Sequence, residues 1–174
     1  MPKVIVRSAT YSDRNSSKII PASEFFLCKR LNAVAILLAL ASPEEINLLG
    51  LTAVAGNVPL NLTVKNARTI CELAKMKNIS IFKGCDKPLK RNLVTAEHVH
   101  GKTGLDGIIL PEPTMPIKES HAVDFIIGTI RENPRYSITI CALGPLTNIA
   151  MALEKAPDIA VKIKQIILIK RTER

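Results

Sequence analysis

The sequence predicts an α/β protein built on a mostly parallel sheet with helices on both faces. Apolar runs rich in β-branched residues alternate with amphipathic helical patterns along most of the chain. Strands separated by helices form βαβ units, whose right-handed crossovers produce a parallel sheet covered on both sides. The chain has 174 residues and is 47% hydrophobic, which is enough to bury one domain-sized core. The predicted fold is therefore a three-layer α/β arrangement.

Strand and helix signals alternate in the first half of the chain. Asn32 is the expected N-cap of an Ala- and Leu-rich helix, which Ser42 and Pro43 end. The apolar run that Gly56 and Asn57 close is typical of a strand buried on both faces. In order, the predicted elements are a strand at 3–6, a helix at 32–45, a strand at 46–57, a helix at 62–76 and a strand at 79–82.

The alternation resumes in the second half, after a long irregular segment. Residues 83–118 contain four prolines and four glycines and show no clean period, which favours a functional loop over a simple connector. His121 is expected at the exposed start of a helix, and Thr147 is expected to cap another. The predicted elements are a helix at 120–133, a strand at 136–143, a helix at 147–156 and a strand at 164–169.

The net charge of +9 raises the question of a nucleic-acid partner. The excess is confined to the two ends, because residues 1–32 and 162–174 each carry +4 and the body between them only +1. The chain has no tryptophan, two tyrosines and four phenylalanines, so it offers little surface on which bases could stack. A basic protein that binds nucleic acid through its charged ends is therefore the less favoured alternative.

Sequence signals for location and cofactors are largely negative. No apolar run reaches the roughly 18 residues that span a bilayer, and the N-terminus lacks the pattern of a secretory signal. A cytoplasmic location without a membrane partner is the prediction. The four cysteines lack a C-x-x-C spacing, which favours reduced structural thiols over a metal or redox site. The glycine-rich phosphate-binding loops of dinucleotide and P-loop proteins are also missing from the sequence.

Candidate site residues come directly after the predicted strands, because α/β sheets bind ligands beyond the carboxyl ends of their strands. These positions are Arg7, Asn57, Gly144 and Lys170. The glycine-rich stretch AEHVHGKTGLDG at 96–107 adds two histidines. On a strand, His98 and His100 would point the same way and could begin a metal site, but no third ligand is identifiable. The favoured interpretation is a loop that presents one imidazole as a general acid or hydrogen-bond donor.

Seven short segments, taken together in their order, carry a specific resemblance. They are LLALASPE, GLTAVAGN, AEHVHGKTGLDG, LPEPT, HAVDFI, ALGPLTNIAMAL and IKQIIL. In this order they closely resemble the N-terminal part of the nucleoside hydrolases, the inosine-uridine-preferring family of N-ribosyl hydrolases. The resemblance covers roughly residues 33–169 and implies a partial, Rossmann-like nucleoside hydrolase domain. Residues 1–32 and 170–174 are then a divergent N-terminal segment and a divergent tail.

The resemblance implies an enzyme that cleaves the N-glycosidic bond of ribonucleosides to give ribose and a free purine or pyrimidine base. It also implies a bound Ca²⁺ that holds the ribose hydroxyls and a water, since a hard cation needs oxygen ligands and an oxocarbenium-like centre needs nearby negative charge. By motif, Asn57 corresponds to the family's ribose-contacting asparagine and His100 to its active-site histidine. Leu143 corresponds to the residue whose backbone carbonyl binds Ca²⁺.

Two regions depart from the family pattern. Family members follow the first strand with an Asp-x-Asp-Pro-Gly-x-Asp-Asp cluster, whereas residues 7–32 contain only Asp13 and Glu24 as acids. Lys29 and Arg30 stand close to where paired aspartates would bind calcium, and their charge would repel a divalent cation. After the last predicted strand the sequence lacks the glycine-rich turn and second half of the family. Both departures coincide with the basic ends, which suggests an altered reading frame.

These departures lead to three expectations. The chain alone is expected to bind no calcium tightly and to have little or no hydrolase activity, so a catalytically inactive remnant with weak nucleoside or ribose binding is the alternative to an active enzyme. Asp13, Glu24 or a second chain could instead rebuild the carboxylate site. A truncated sheet would leave an unpaired edge and exposed apolar helix faces, which predicts marginal solubility or self-association, with a homo-oligomer as one outcome.

Overall fold

The described part of the chain forms a parallel five-stranded sheet. A computed structural model describes residues 3–7, 46–106 and 110–168, the first of these as backbone alone. The predicted helix at 32–45, Asp13, Glu24, Cys28 and Lys170 lie outside the described residues. All strand pairs are parallel, and the strand order is β3-β2-β1-β4-β5. The strands are β1 (Lys3–Arg7), β2 (Asn47–Thr52), β3 (Ile81–Phe82), β4 (Ile138–Ala142) and β5 (Gln165–Leu168).

From β2 onwards helices connect the strands and begin near the carboxyl edge of the sheet. The helices are α1 (Leu60–Leu73), α2 (Glu97–His100), α3 (Ala122–Glu132), α4 (Thr147–Lys155) and a 3-10 helix (Pro157–Lys162). Because α1 follows β2 and α4 follows β4, both helices start where a parallel strand has just ended. No helix within the described residues is long and apolar enough to cross a membrane.

Strand β4 shows that both faces of the sheet are covered. Its side chains alternate between the two faces with a period of two residues. Ile138, Ile140 and Ala142 pack into one buried cluster with apolar residues of α3 and α4. Cys141 and the following Leu143 pack into a second cluster with residues of β2, β3 and α1. The predicted three-layer α/β fold is confirmed.

Most predicted elements are present, but their boundaries are shorter. The strand predicted at 46–57 ends at Thr52, and the strand predicted at 79–82 covers only two residues. Ala53 and Ala55 nevertheless continue the pairing with the β3 side, because their N–H groups donate to Phe82 (2.9 Å) and Cys85 (3.0 Å). Residues beyond Thr52 therefore leave the strand while staying fixed to the neighbouring loop.

The prediction that Thr147 caps a helix is wrong. Thr147 is the first residue of α4, the N-cap position is Leu146, and no side chain caps the helix. A capping side chain must come from the residue before the first helical turn, and here that residue is apolar. His121 instead acts as a cap for α3, since its Nδ1 accepts a hydrogen bond from the N–H of Val123 at 3.2 Å.

The long irregular segment is anchored to α1 rather than free on the surface. Arg68 donates from Nε to the carbonyl of Met115 (2.6 Å) and from a terminal nitrogen to that of Pro113 (2.9 Å). The Glu72 carboxylate accepts from the N–H of Thr114 at 2.6 Å and from the N–H of Met115. These hydrogen bonds lower the pKa of Glu72. One helix therefore fixes residues 113–115.

Candidate functional site

The carboxyl edge of the sheet contains a topological switch point. The last residue of β1, Arg7, lies in register with Thr52 of β2 and Ala142 of β4. From β1 the chain continues to β2 and β3 on one side of the sheet, and then crosses to β4 and β5 on the other. The strand order therefore reverses between β1 and β4. Sheets of this kind bind ligands in the crevice outside such a switch point.

Asn57 lies at this edge, in the loop that comes after β2. The residue is half-buried. Its backbone carbonyl accepts a hydrogen bond from the N–H of Ala96 at 2.8 Å. The preceding residue, Gly56, packs against Pro145, since a Cβ added to Gly56 would lie 3.1 Å from Cδ of the proline ring. The Asn57 loop is therefore held between the loop after β4 and the segment that leads to His100.

His100 is connected to Asn57 through one residue. The N–H of His100 donates to the carbonyl of Ala96 at 2.9 Å, and the N–H of Ala96 donates to Asn57. His98 is exposed and His100 is half-buried. Both belong to the helical turn α2, on which residues two apart point in widely different directions. The strand geometry that would have aimed both imidazoles at one metal ion is not formed.

The glycine loop after His100 is organised around Asp106. Its carboxylate accepts hydrogen bonds from the N–H groups of Lys102 and Thr103, both at 2.9 Å, and from the hydroxyl of Thr103 at 2.5 Å. These bonds hold the pKa of Asp106 below its ordinary value of 3.8, with the Thr103 hydroxyl as the largest cause. Gly101 and Gly104 have φ values of +79° and +80°, which glycine adopts without strain. The hydrogen bonds to the Asp106 carboxylate therefore stabilise the conformation of the loop.

Leu143 lies directly after β4, beside the switch point. Its side chain is 5% exposed and packs in the cluster that contains Leu51 and Ile81. Only the backbone of Leu143 is therefore available to a ligand at the sheet edge. The contact between Gly56 and Pro145 brings the two loops that contain Asn57 and Leu143 together.

Asn148 is a site-edge residue that the sequence did not single out. Its side chain is fully buried, at 0% exposure. Its Nδ2 donates to the carbonyl of Ala53 at 2.9 Å, and its Oδ1 accepts from the N–H of Cys85 at 2.9 Å. The sequence signal was an asparagine beside the Gly-Pro-Leu-Thr turn, which alone predicts only turn or capping chemistry.

The cysteines of the described residues lie in or near the core. Cys71 is buried, and Cys85 and Cys141 are half-buried. Burial raises the pKa of Cys71 to about 11 and also raises that of Cys141. A raised pKa disfavours the thiolate, which is the form that binds metals and reacts. A structural role for Cys71 and Cys141 stays the prediction.

A cavity of about 670 Å³ opens beside this edge. It lies between the start of α1, the loop after β3 and the first turns of α3 and α4. Polar side chains in its wall are Asn61, Lys83, Asp86, Lys87, His121 and Thr147. Neither Asn57 nor His100 lines it. The cavity is therefore a neighbour of the predicted site.

Comparison with known proteins identifies the family. Residues 32–169 match the family model described as inosine-uridine preferring nucleoside hydrolase. The chain therefore belongs to the nucleoside hydrolase family. An inosine-uridine preferring nucleoside hydrolase of Crithidia fasciculata is 41% identical over 138 residues, which are 79% of this chain and 44% of the relative. A pyrimidine-specific ribonucleoside hydrolase of Salmonella arizonae is 40% identical over 137 residues, 79% of this chain and 43% of the relative.

Solved structures give the same result for the fold. A purine-preferring ribonucleoside hydrolase from Gardnerella vaginalis superimposes with a TM-score of 0.74 at 28% identity, covering 94% of this chain and 47% of that protein. A plant nucleoside hydrolase has a TM-score of 0.73 at 32% identity, covering 95% of this chain and 46% of that protein. The chain thus spans about half the length of the relatives that it matches.

Proposed function

We propose that this protein acts on ribonucleosides and serves the hydrolysis of their N-glycosidic bond, with Asn57 and His100 as its substrate-facing residues. The observation that carries the proposal is the hydrogen-bonded connection from Asn57 through Ala96 to His100. It joins the two residues at the edge of the sheet where α/β folds bind ligands. Membership of the nucleoside hydrolase family supplies the substrate class.

The two side chains suit the two parts of a ribonucleoside. The Asn57 carboxamide can both donate and accept hydrogen bonds, which matches the hydroxyl groups of ribose. The imidazole of His100 can donate a hydrogen bond or a proton to the departing base. In the reaction, water adds to the anomeric carbon, the carbon–nitrogen bond breaks, and the base leaves with a proton. Developing positive charge on the ribose in this step requires negative charge nearby.

A calcium site depends on the oxygen ligands that the chain can bring together. Calcium takes about six to eight oxygen ligands, and carboxylates supply most of the charge. Within the described ranges, no group of three or more His, Cys, Asp or Glu side chains is arranged to hold a metal ion.

Because the described residues bring no such cluster of side chains together, recognition of the substrate can be separated from its turnover. We infer that the chain by itself binds ribonucleosides weakly and hydrolyses them slowly or not at all. Full activity then needs carboxylates from Asp13, Glu24 or a second chain. The basic ends leave a nucleic-acid-binding protein as a further candidate, and steeply salt-dependent binding to DNA or RNA would favour it.

The first experiment measures ribose release from inosine and uridine by the purified chain, with calcium and with a chelator. We expect no chelator-sensitive release from a sample whose circular dichroism shows a folded protein. Calcium binding in the micromolar range by calorimetry would contradict the inferred absence of a calcium site.

The second experiment measures binding of inosine and uridine by NMR titration. We expect His100→Ala and Asn57→Ala to weaken binding at least five-fold. His98→Ala is the matched control, since His98 lies on the same helical turn and is exposed. Equal effects of the two histidine substitutions would contradict the role of His100.

A further inference from the structure

The segments that follow three strands meet at one buried side chain, that of Asn148. Ala53 belongs to the segment after β2, and Cys85 to the segment after β3. Asn148 itself lies in the first turn of α4, which comes after β4. The carboxamide bonds the carbonyl of Ala53 and the N–H of Cys85, each at 2.9 Å. These partners are 95 and 63 residues away in sequence, so a single residue connects segments that are otherwise distant.

The chemistry of an asparagine matches both partners. The donor Nδ2 faces a carbonyl, and the acceptor Oδ1 faces an N–H, so a reversed carboxamide would mismatch both contacts. The side chain is fully buried, so water cannot replace either hydrogen bond. Gly84 passes against the carboxamide, and a Cβ there would lie 2.5 Å from Oδ1 and no farther from Nδ2. No other side chain supplies this donor and acceptor pair in the same volume without changing shape or charge.

The network reaches Asn57 from both sides. Cys85 donates to Asn148 through its N–H and accepts from the N–H of Ala55 through its carbonyl, at 3.0 Å. Ala53 and Ala55 thus stay bonded to the β3 side up to the residues directly before Asn57. On the other side, Gly56 contacts Pro145, in the turn that leads into the helix of Asn148. Asn148 is therefore bonded to one segment that holds the Asn57 loop, the segment after β3, and lies in the helix that follows the other, the turn with Pro145.

We propose that Asn148 is a positioning residue that sets where Asn57, and through Ala96 the His100 turn, lie relative to the sheet edge. This inference rests on the proposed function where it assigns Asn57 and His100 to substrate. The positioning itself is a property of the fold and is tested separately. Loss of the Asn148 carboxamide lets the loop after β2 separate from the loops after β3 and β4. Ribonucleoside affinity then falls even though no ribose- or base-facing group has been changed.

Amide hydrogen exchange on the full chain tests the positioning. The reporters are the N–H groups of Ala55, Cys85 and Ala96, which make the bonds described above. In Asn148→Ala we expect these three amides to exchange at least ten-fold faster, beyond any change shared by the amides of β4. Asn148→Asp keeps an acceptor for Cys85 and loses the donor to Ala53, so we expect a smaller acceleration at Cys85 than in Asn148→Ala.

A matched control separates positioning from general loss of stability. Ile159 is fully buried, and it lies in the 3-10 helix beyond the far end of α4. We expect Ile159→Ala to accelerate the amides of β4 and the three reporters in parallel. If Asn148→Ala also changes them in parallel, Asn148 is a core residue only and the proposal is overturned. If both Asn148 variants fail to fold, the NMR spectrum of the wild type becomes the test. The proposal requires that the side-chain amide protons of Asn148 exchange slowly and show contacts to Ala53.

Ligand binding gives the second readout. Relative to the wild type, we expect inosine or uridine to bind at least five-fold more weakly to Asn148→Ala, and Asn148→Asp to fall between them. Unchanged affinity in a folded Asn148→Ala variant would overturn the link to recognition. If the wild-type chain binds neither nucleoside, the proposed function fails, and the exchange pattern still decides whether Asn148 positions the loop.

Discussion

Gly84→Ala is expected to destabilise the protein strongly although it adds only one methyl group. A Cβ at Gly84 would lie 2.5 Å from Oδ1 of Asn148, and no farther from Nδ2 or from the carbonyl of Ala53. All three atoms belong to the buried polar network, so the methyl group cannot be accommodated by rotating a flexible apolar side chain. Overpacking of this kind costs about 1–3 kcal/mol. Weakening both carboxamide bonds adds about 0.5–1.5 kcal/mol each, for a total of about 2–6 kcal/mol.

The assay is urea unfolding followed by far-ultraviolet circular dichroism, since the chain has no tryptophan to report by fluorescence. Gly128→Ala is the matched control. Gly128 lies within α3, and its nearest neighbour for an added Cβ is Glu132 at 3.9 Å. Alanine is the better helix former, so this variant is expected to gain about 0.5–1 kcal/mol in the free energy of unfolding. The two glycine variants should therefore shift stability in opposite directions.

A double-mutant cycle identifies the cause. In the Asn148→Ala background the carboxamide is gone, and of the three nearest atoms the Ala53 carbonyl oxygen remains. We expect Gly84→Ala to cost less than half of its wild-type value there, because contacting residues are not additive. An equal cost in both backgrounds would refute the reasoning. So would a cost in the wild type below about 0.5 kcal/mol, which is usual for surface substitutions.

Three further predictions concern the glycine loop and the sheet edge. Because the pKa of Asp106 is lowered, its carboxylate stabilises the loop above pH 3.8, and this contribution is lost as pH falls through the folded-state pKa. An NMR titration of the Lys102 amide should therefore have a midpoint below pH 3.8. A midpoint above pH 3.8 would contradict the hydrogen bonds to Asp106. Gly101→Ala combines a φ of +79° with an overlap between the added Cβ and Asp106, so it should lower the free energy of unfolding in urea by about 1–3 kcal/mol. Gly104→Ala should cost less, because its added Cβ would lie 3.2 Å from its nearest neighbours. All four residues of β5 are exposed, so the wild type should self-associate in sedimentation velocity, and Ile167→Lys should shift it towards the monomer if that edge is the contact.

Several properties were predictable because they depend on local pattern. Alternating strand and helix periods predicted the parallel sheet, and the structure confirms helices on both of its faces. The motif order identified the family, which the match over residues 32–169 confirms. Placing Asn57 and His100 in one site remains a proposal, although both residues contact Ala96. The position directly after a strand is recognisable from a short stretch of sequence, so residues such as Asn57 could be singled out before the fold was known.

The start of α4 shows why local sequence patterns can misplace a helix cap. Ser, Thr, Asn and Asp before a helix are good predictors of a cap, yet α4 begins one residue earlier than that rule requires, at Thr147 itself. The histidines fail for a similar reason. A strand would have aligned His98 with His100, whereas the helical turn separates them. Whether a short segment forms a strand or a turn depends on its tertiary neighbours.

By itself the sequence determined the fold class, the family and the chemical types available at the sheet edge, because these depend on residue type and spacing. Only the tertiary structure decided what Asn148 and Gly84 do. Their contacts join Ala53, Cys85 and the start of α4, segments far apart along the chain. A buried carboxamide is stable only when distant backbone groups meet both its donor and its acceptor, and that requirement is visible only after the chain has folded.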